Sequence, residues 1–163
     1  MTKPVSLLLL IALASLLGCG YSAQPLIASH YKTIALDIFK NRTRYRDFEF
    51  TLADALKNEI TSKTGLRIVP RDKAETLLTG TILEYTQPVL TETEDDQVRE
   101  IEVKITLAFE WKDLRTGRVI HSRTRFTESA QAKFDRGQTR QSAAAEVLTD
   151  VAEEIINDLE MEW

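Results

Sequence analysis

Between Val98 and Trp111 nearly every second residue is apolar. Ile101, Val103, Ile105, Leu107, Phe109 and Trp111 alternate with Glu100, Glu102, Lys104, Thr106, Ala108 and Glu110. A period of two sorts these side chains onto opposite faces of a pleated strand, whereas a helix would scatter them around its axis. The segment therefore predicts a long strand in an antiparallel sheet with one face buried and the other wet. Asp113-Leu114-Arg115-Thr116-Gly117 supplies turn chemistry, and Val119–Thr127 returns as the partner strand, with Ile120 and Phe126 inward. The result is a long hairpin.

A sheet with one apolar face needs a cover, and two segments offer one. From Phe48 to Lys63, Phe48, Leu52, Ala55, Leu56 and Ile60 recur at helical spacing, and Gly65 is placed to end the helix. From Thr139 to Met161, Ala144, Val147, Leu148, Val151, Ile155 and Leu159 form a second stripe, opposite Glu146, Asp150, Glu153 and Asp158. Thr33–Phe39 reads as a first strand with Ile34, Leu36 and Ile38 on one face. Asn41–Asp47 reads as a polar loop, Leu66–Val69 as a short strand closed by Pro70, Asp72–Glu75 as a capped turn, and Leu77–Gln87 as a further strand. The expected order is β-α-β-β-β-β-α. The fold class is α+β, with two helices packed on one face of a mixed, mostly antiparallel sheet of four or five strands.

The start of the chain is of another kind. After Lys3 and Pro4, Val5–Leu17 is a run of 13 residues with only serine as polar interruption. It has the form of a signal-peptide core and falls short of the roughly 20 residues that span a bilayer. Leu16-Leu17-Gly18-Cys19 resembles the lipobox of bacterial lipoproteins, which implies cleavage before Cys19 and acylation of Cys19, the sole cysteine. Each buried acyl CH₂ contributes about 0.8 kcal/mol, so two or three chains anchor firmly. Gly20 resembles the pattern that sorts lipoproteins to the outer membrane. The expected organisation is a signal peptide over 1–18, a lipidated cysteine and tether over 19–30, and a single periplasmic domain over 31–163.

Charge and residue types narrow the function. From Cys19 onward the chain carries 20 basic and 25 acidic residues, a net charge of −5, which does not describe a nucleic-acid binder. With His30 and His121 as the only histidines, and Cys19 assigned to lipid, no zinc site is expected. Glu94, Asp95 and Asp96 read as a solvated loop rather than acid–base machinery. No nucleophilic triad or phosphate-cradling glycine loop stands out, so neither catalysis nor a cofactor is expected. Arg42, Arg44, Tyr45 and Arg46 form the most basic cluster. It reads first as a solvated loop, and otherwise as a contact for lipid phosphates or an acidic protein wall. His121, Arg123 and Arg125 are expected on the polar face of the last strand, paired across the hairpin with Glu102 and Glu110.

Five stretches taken together resemble the LPS-assembly lipoprotein family, LptE. They are the lipobox with Gly20-Tyr21, the segment Lys32–Thr43, the helical Leu52-Ala53-Asp54-Ala55-Leu56, the segment Ala74–Ile82, and Trp111–Ile120. The resemblance implies two helices on a mixed sheet, an outer-membrane anchor, a complex inside the lumen of the LPS translocon barrel LptD, and contact with LPS. The loop where basic LPS contacts occur in some members is here Thr91–Gln97, which is acidic, so no LPS-binding residue is carried across. The opening strand, Phe39–Thr43 and Thr79–Ile82 also resemble lipoproteins with a TolB or CsgG amino-terminal type of domain, some of which activate peptidoglycan synthases. The single long hairpin followed by one terminal helix fits LptE better.

Overall fold

The structure is a computed structural model that describes residues 31–92, 98–133 and 139–161. The expected signal peptide and tether, Cys19, and residues 93–97 of the acidic loop lie outside the described residues.

Among the described residues, seven strands and two helices follow one another. They are β1 (Thr33–Leu36), β2 (Lys40–Asn41), α1 (Phe48–Lys63), β3 (Arg67–Ile68), β4 (Thr76–Thr86), β5 (Val89–Glu92), β6 (Val98–Asp113), β7 (Val119–Lys133) and α2 (Arg140–Met161), with a 3₁₀ turn at Arg71–Lys73. The α+β class, the two helices and the mixed sheet agree with the sequence pattern. The strand count is higher, because β2 and β5 add short pairings. β2 takes over the start of the expected Asn41–Asp47 loop, and β5 extends into Thr91–Glu92.

β6 is the spine of the sheet. β7 pairs with it antiparallel from Lys112↔Val119 to Glu100↔Lys133. Along its other side run β4, from Thr76↔Asp113 to Thr86↔Lys104, and then β5. β1 lies between β3 and β4, parallel to both, and β2 continues parallel to β4. Ile101, Val103, Ile105, Leu107, Phe109 and Trp111 are all buried and join one core cluster with Leu52, Leu56 and Ile60 of α1 and Val147, Leu148, Val151, Ile155 and Leu159 of α2. The expected β6 register and both helical stripes are therefore the ones that build the core.

Three local readings need correction. β1 stops at Leu36, and it is Phe39 (2% exposed) that enters the core, while Ile38 is 57% exposed. The chain steps between β1 and β2 there, which inverts the alternation, and the Phe39 ring occupies the space that a side chain on Gly80 would need. A Cβ at Gly80 would also lie 2.6 Å from the Ala108 carbonyl, so residue 80 must be glycine for β4 to pack as it does. Second, α1 is not ended by a left-handed Gly65. Thr64 ends it in extended geometry, donating both its N–H (3.1 Å) and its Oγ1–H (2.6 Å) to the Ile60 carbonyl. Third, the turn before β4 is a 3₁₀ turn without a side-chain cap. α2 begins with a reciprocal cap in which Ser142 N–H donates to Thr139 Oγ1 (3.0 Å) and Thr139 N–H to Ser142 Oγ (2.9 Å).

Candidate functional site

The β4 strand gives the domain two ends. Tyr31, Glu75, Asp113 and the β6–β7 turn surround its beginning. The loop between β2 and α1 lies at its other end. Both helices run from the second end toward the first, since Phe48 packs against Tyr85 while Asp158 meets His121 beside Trp111.

At the far end, the Arg42–Asp47 loop is held by Asn41. Its amide donates to the Tyr45 carbonyl and to Glu49 Oε2, both at 2.6 Å, and its Oδ1 accepts from Thr43 N–H (2.9 Å) and Oγ1–H (2.8 Å). Tyr45 stacks on Phe48 with ring centroids 5.6 Å apart, and both meet Tyr85, at 4.3 and 4.9 Å. Burial pushes the Tyr85 hydroxyl up from its ordinary value, and Gln87 donates to it. Asp47 enters α1 at φ 71°, the one non-glycine residue in the left-handed region among the described residues. Arg42, Arg44, Tyr45 and Arg46 are exposed, as a solvated loop requires, but the backbone beneath them is fixed on an aromatic base. Phe50, 52% exposed, adds an apolar neighbour.

Near the beginning of β4 the structure overturns a charge assignment. His121 and Arg123 lie opposite Trp111 and Phe109 and so face the helices, because β7 gains an extra residue between Arg123 and Phe126 where it passes Ala108. Their partner is Asp158 of α2, buried to 5% exposure. Arg123 donates twice to it, at 2.9 and 2.5 Å, and His121 Nε2 lies 2.8 Å from it. Burial pushes the Asp158 carboxyl up, but the hydrogen bonds and charges of Arg123 and His121 outweigh this and hold it below the ordinary aspartate range. Glu102 and Glu110, the expected cross-strand partners, pair instead with Lys104 and Lys112 of their own strand, at 2.9 and 3.1 Å. Arg125 reaches Glu84 on β4 at 3.2 Å.

The end where Tyr31 enters is tied together by two carboxylates. Glu75 Oε2 accepts from the N–H groups of Lys32 (2.6 Å) and Thr33 (3.0 Å) and from Thr33 Oγ1–H (3.3 Å). Asp113 accepts from Arg115 N–H (2.8 Å), Thr116 N–H (2.9 Å) and Tyr31 O–H (3.0 Å). Backbone hydrogen bonds, led by those from Lys32 and Thr116 respectively, hold both acids below their ordinary values. They frame a polar hollow of 680 Å³ that Arg71 and Arg115 also line. The sheet face away from the helices carries a second shallow groove of 610 Å³, lined by Thr79, Thr81, Ser122 and Thr124 with Lys40 and Glu110. Among the described residues no cluster of three metal-binding side chains occurs, and no helix is long and apolar enough to cross a membrane.

Two helices over one face of a mixed sheet, with a hydroxyl-lined groove on the other face, define a small α+β domain. The sequence matches the model of the LptE lipopolysaccharide-assembly family over residues 31–159, so the chain belongs to that family, whose members are non-catalytic lipoproteins acting in LPS assembly at the envelope. No curated protein matches the sequence. Similar solved structures include a Xanthomonas campestris protein of family DUF330 (14% identity, TM-score 0.60, covering 86% of this chain and 89% of that one). An uncharacterized lipoprotein B from Nitrosomonas europaea (14%, TM-score 0.57, 84% and 86%) and the PelC dodecamer from Paraburkholderia phytofirmans (18%, TM-score 0.52, 80% and 92%) share the fold as well.

Proposed function

We propose that this chain is cut before Cys19, acylated there and held at the outer membrane, where its domain binds and plugs the LPS translocon barrel LptD and takes part in LPS insertion. The match of the LPS-assembly family over residues 31–159, essentially the whole domain, carries this reading. The lipobox Leu16–Cys19 and Gly20 support the anchor and its destination. The surfaces suit a plug: an open sheet face rich in hydroxyls and a rigid, exposed Arg42–Arg46 loop can satisfy varied polar groups of a surrounding wall. No residue is assigned to LPS contact.

The test is purification of the tagged protein from native outer membranes, together with depletion in cells. LptD should co-purify. Depletion should lower the amount of correctly assembled barrel, read by its gel migration before and after reduction, and retain LPS short of the surface. An unchanged barrel in depleted cells overturns the reading. Mass spectrometry of the mature amino terminus tests the anchor, which requires an acylated Cys19 as first residue.

A further inference from the structure

Among the described residues, four strands of the sheet pair on one side only: β2, β3, β5 and β7. The first three are two to four residues long, whereas β7 has 15 residues. A long open edge is a template for another chain, and proteins usually blunt one with proline, lysine or a bulge. The bulge beside Ala108 breaks the first half of β7. Over residues 126–133 the pairing with β6 is unbroken, with no proline and with Glu128 as the only charge before Lys133.

The direction of the free groups follows from β6. Glu102 N–H donates to the Pro88 carbonyl (2.9 Å), on the β5 side. In an antiparallel ladder a residue turns its N–H and C=O to one side, and its neighbours turn theirs to the other. Glu102, Lys104 and Thr106 therefore point away from β7, and the residues opposite them, Gln131, Ser129 and Thr127, point away from β6. The 2.9 Å bond between the Thr106 and Thr127 hydroxyls fits the close side-chain spacing of such pairs. The Ser129 N–H meets the Glu128 carboxylate. Among the described residues, nothing pairs with the outward backbone groups of Thr127 and Gln131.

Charge along this edge is one-sided. Glu128 lies opposite Ile105 and so faces the helices, where Asp150 and Glu154 of α2 act on it and Glu146 and Glu153 extend the acidic surface. The bases on that side are Lys63, shared by Glu59 and Glu153, and Arg140 at the start of α2, while Asp158 further along is matched by Arg123. On the other face the charges balance, since Glu84, Glu100 and Glu102 pair with Arg125, Lys133 and Lys104. We propose that the β7 edge over residues 126–133 takes up an extended segment of the partner as an additional strand, with a lysine or arginine of that segment turned toward Glu128, Asp150 and Glu154. The inference rests on the reading of the domain as a plug, which makes the surrounding barrel protein the source of the segment. Backbone hydrogen bonds hold the added strand whatever its sequence, and the acids select a basic residue beside Glu128.

The test is hydrogen exchange, read residue by residue on the full protein in its native membrane complex and on the same protein purified free of partner. The Thr127 and Gln131 amides should exchange freely in the free chain and at least about tenfold more slowly in the complex. Gln131→Pro removes an outward N–H without touching the β6 ladder. It should leave the unfolding midpoint of the free chain unchanged and lower co-purification of LptD roughly tenfold, whereas Gln131→Ala, which keeps the N–H, should change neither. Glu128→Lys/Glu154→Lys should weaken co-purification in the same way, and Asp54→Lys/Asp72→Lys, the same change of charge elsewhere, should not. Unchanged exchange at Thr127 and Gln131 overturns the proposal even where LptD co-purifies. Protection that grows with the concentration of the free chain overturns it in favour of a second copy. Where the unaltered protein brings down no LptD, the plug reading falls and the edge is judged by exchange in the native membrane. Protection there that Glu128→Lys/Glu154→Lys abolishes upholds the added strand, and its absence overturns it.

Discussion

Asp158 has almost no access to water, and a bare carboxylate in that position would not tolerate its charge. Three hydrogen bonds from two β7 residues make it tolerable and tie α2 to the outer strand of the sheet. Asp158→Ala should lower stability by about 2 kcal/mol, because Arg123, half exposed, can turn to solvent while His121, 10% exposed, is left with a desolvated ring nitrogen. Urea denaturation of the two proteins measures this, and an unchanged midpoint would show that the contact is incidental. The pairing could not be read from the sequence. Counted by alternation alone, His121 and Arg123 fall on the outer face, and only the extra residue on β7 turns them inward. Phe39 and Ile38 exchange roles for a similar reason: the step between β1 and β2 and the missing side chain of Gly80 are facts of the neighbouring strand.

At the level of elements, what was legible had a local cause. The bounds of α1 follow from the spacing of its own apolar residues, and β6 from its own alternation, so Phe48–Lys63 and Val98–Trp111 needed no knowledge of partners. β2 and β5 are too short to carry a pattern and exist because β4 and β6 offer them an edge. The far loop was readable as basic and exposed, but its aromatic base joins Tyr45, Phe48 and Tyr85 across 40 residues of sequence. The faces of β6 support a paired prediction. Ile105→Asp should cost about 4 kcal/mol by placing an unpaired carboxylate at 0% exposure. Thr106, although on the outer face, is itself only 5% exposed and shares a 2.9 Å hydrogen bond with Thr127, so Thr106→Asp should cost about 1 to 2 kcal/mol rather than nothing. If Thr106→Asp proved the more damaging, the register would be displaced by one.

The whole molecule carries two opposed sets of carboxylates. Asp158, Asp113 and Glu75 lie below their ordinary values, so the stability they contribute is present above the unfolded-state range near pH 4 and is lost as pH falls through their folded values. Glu128 and Asp150, raised chiefly by burial and then by acidic neighbours such as Glu154 and Glu146, act in reverse: the folded state binds their protons more tightly, so stability rises as pH drops from neutral toward the unfolded-state range. Thermal unfolding should therefore show a maximum near pH 5, a steep fall below about pH 4, and a flatter neutral limb in Glu128→Gln. A profile that rises monotonically to pH 7 would contradict this balance.

β1 is an interior strand of the sheet, one in from the β3 edge, yet its partners β3 and β4 come more than thirty residues later in the chain. The β6–β7 hairpin, by contrast, closes over a short turn, and β4 makes its longest ladder with β6. Time thus runs against sequence: β1 is made before its partners and seated last, since the entropy of closing its loop is recovered only after the later strands stand ready. Ile105→Val should then slow refolding, whereas Ile34→Val should mainly hasten unfolding, a contrast that stopped-flow kinetics resolves. A chain folding in this order exposes the inner edge of β4, rather than the hairpin, for the longest interval, and it is at that edge that a chaperone or a mispaired neighbour would find its opening.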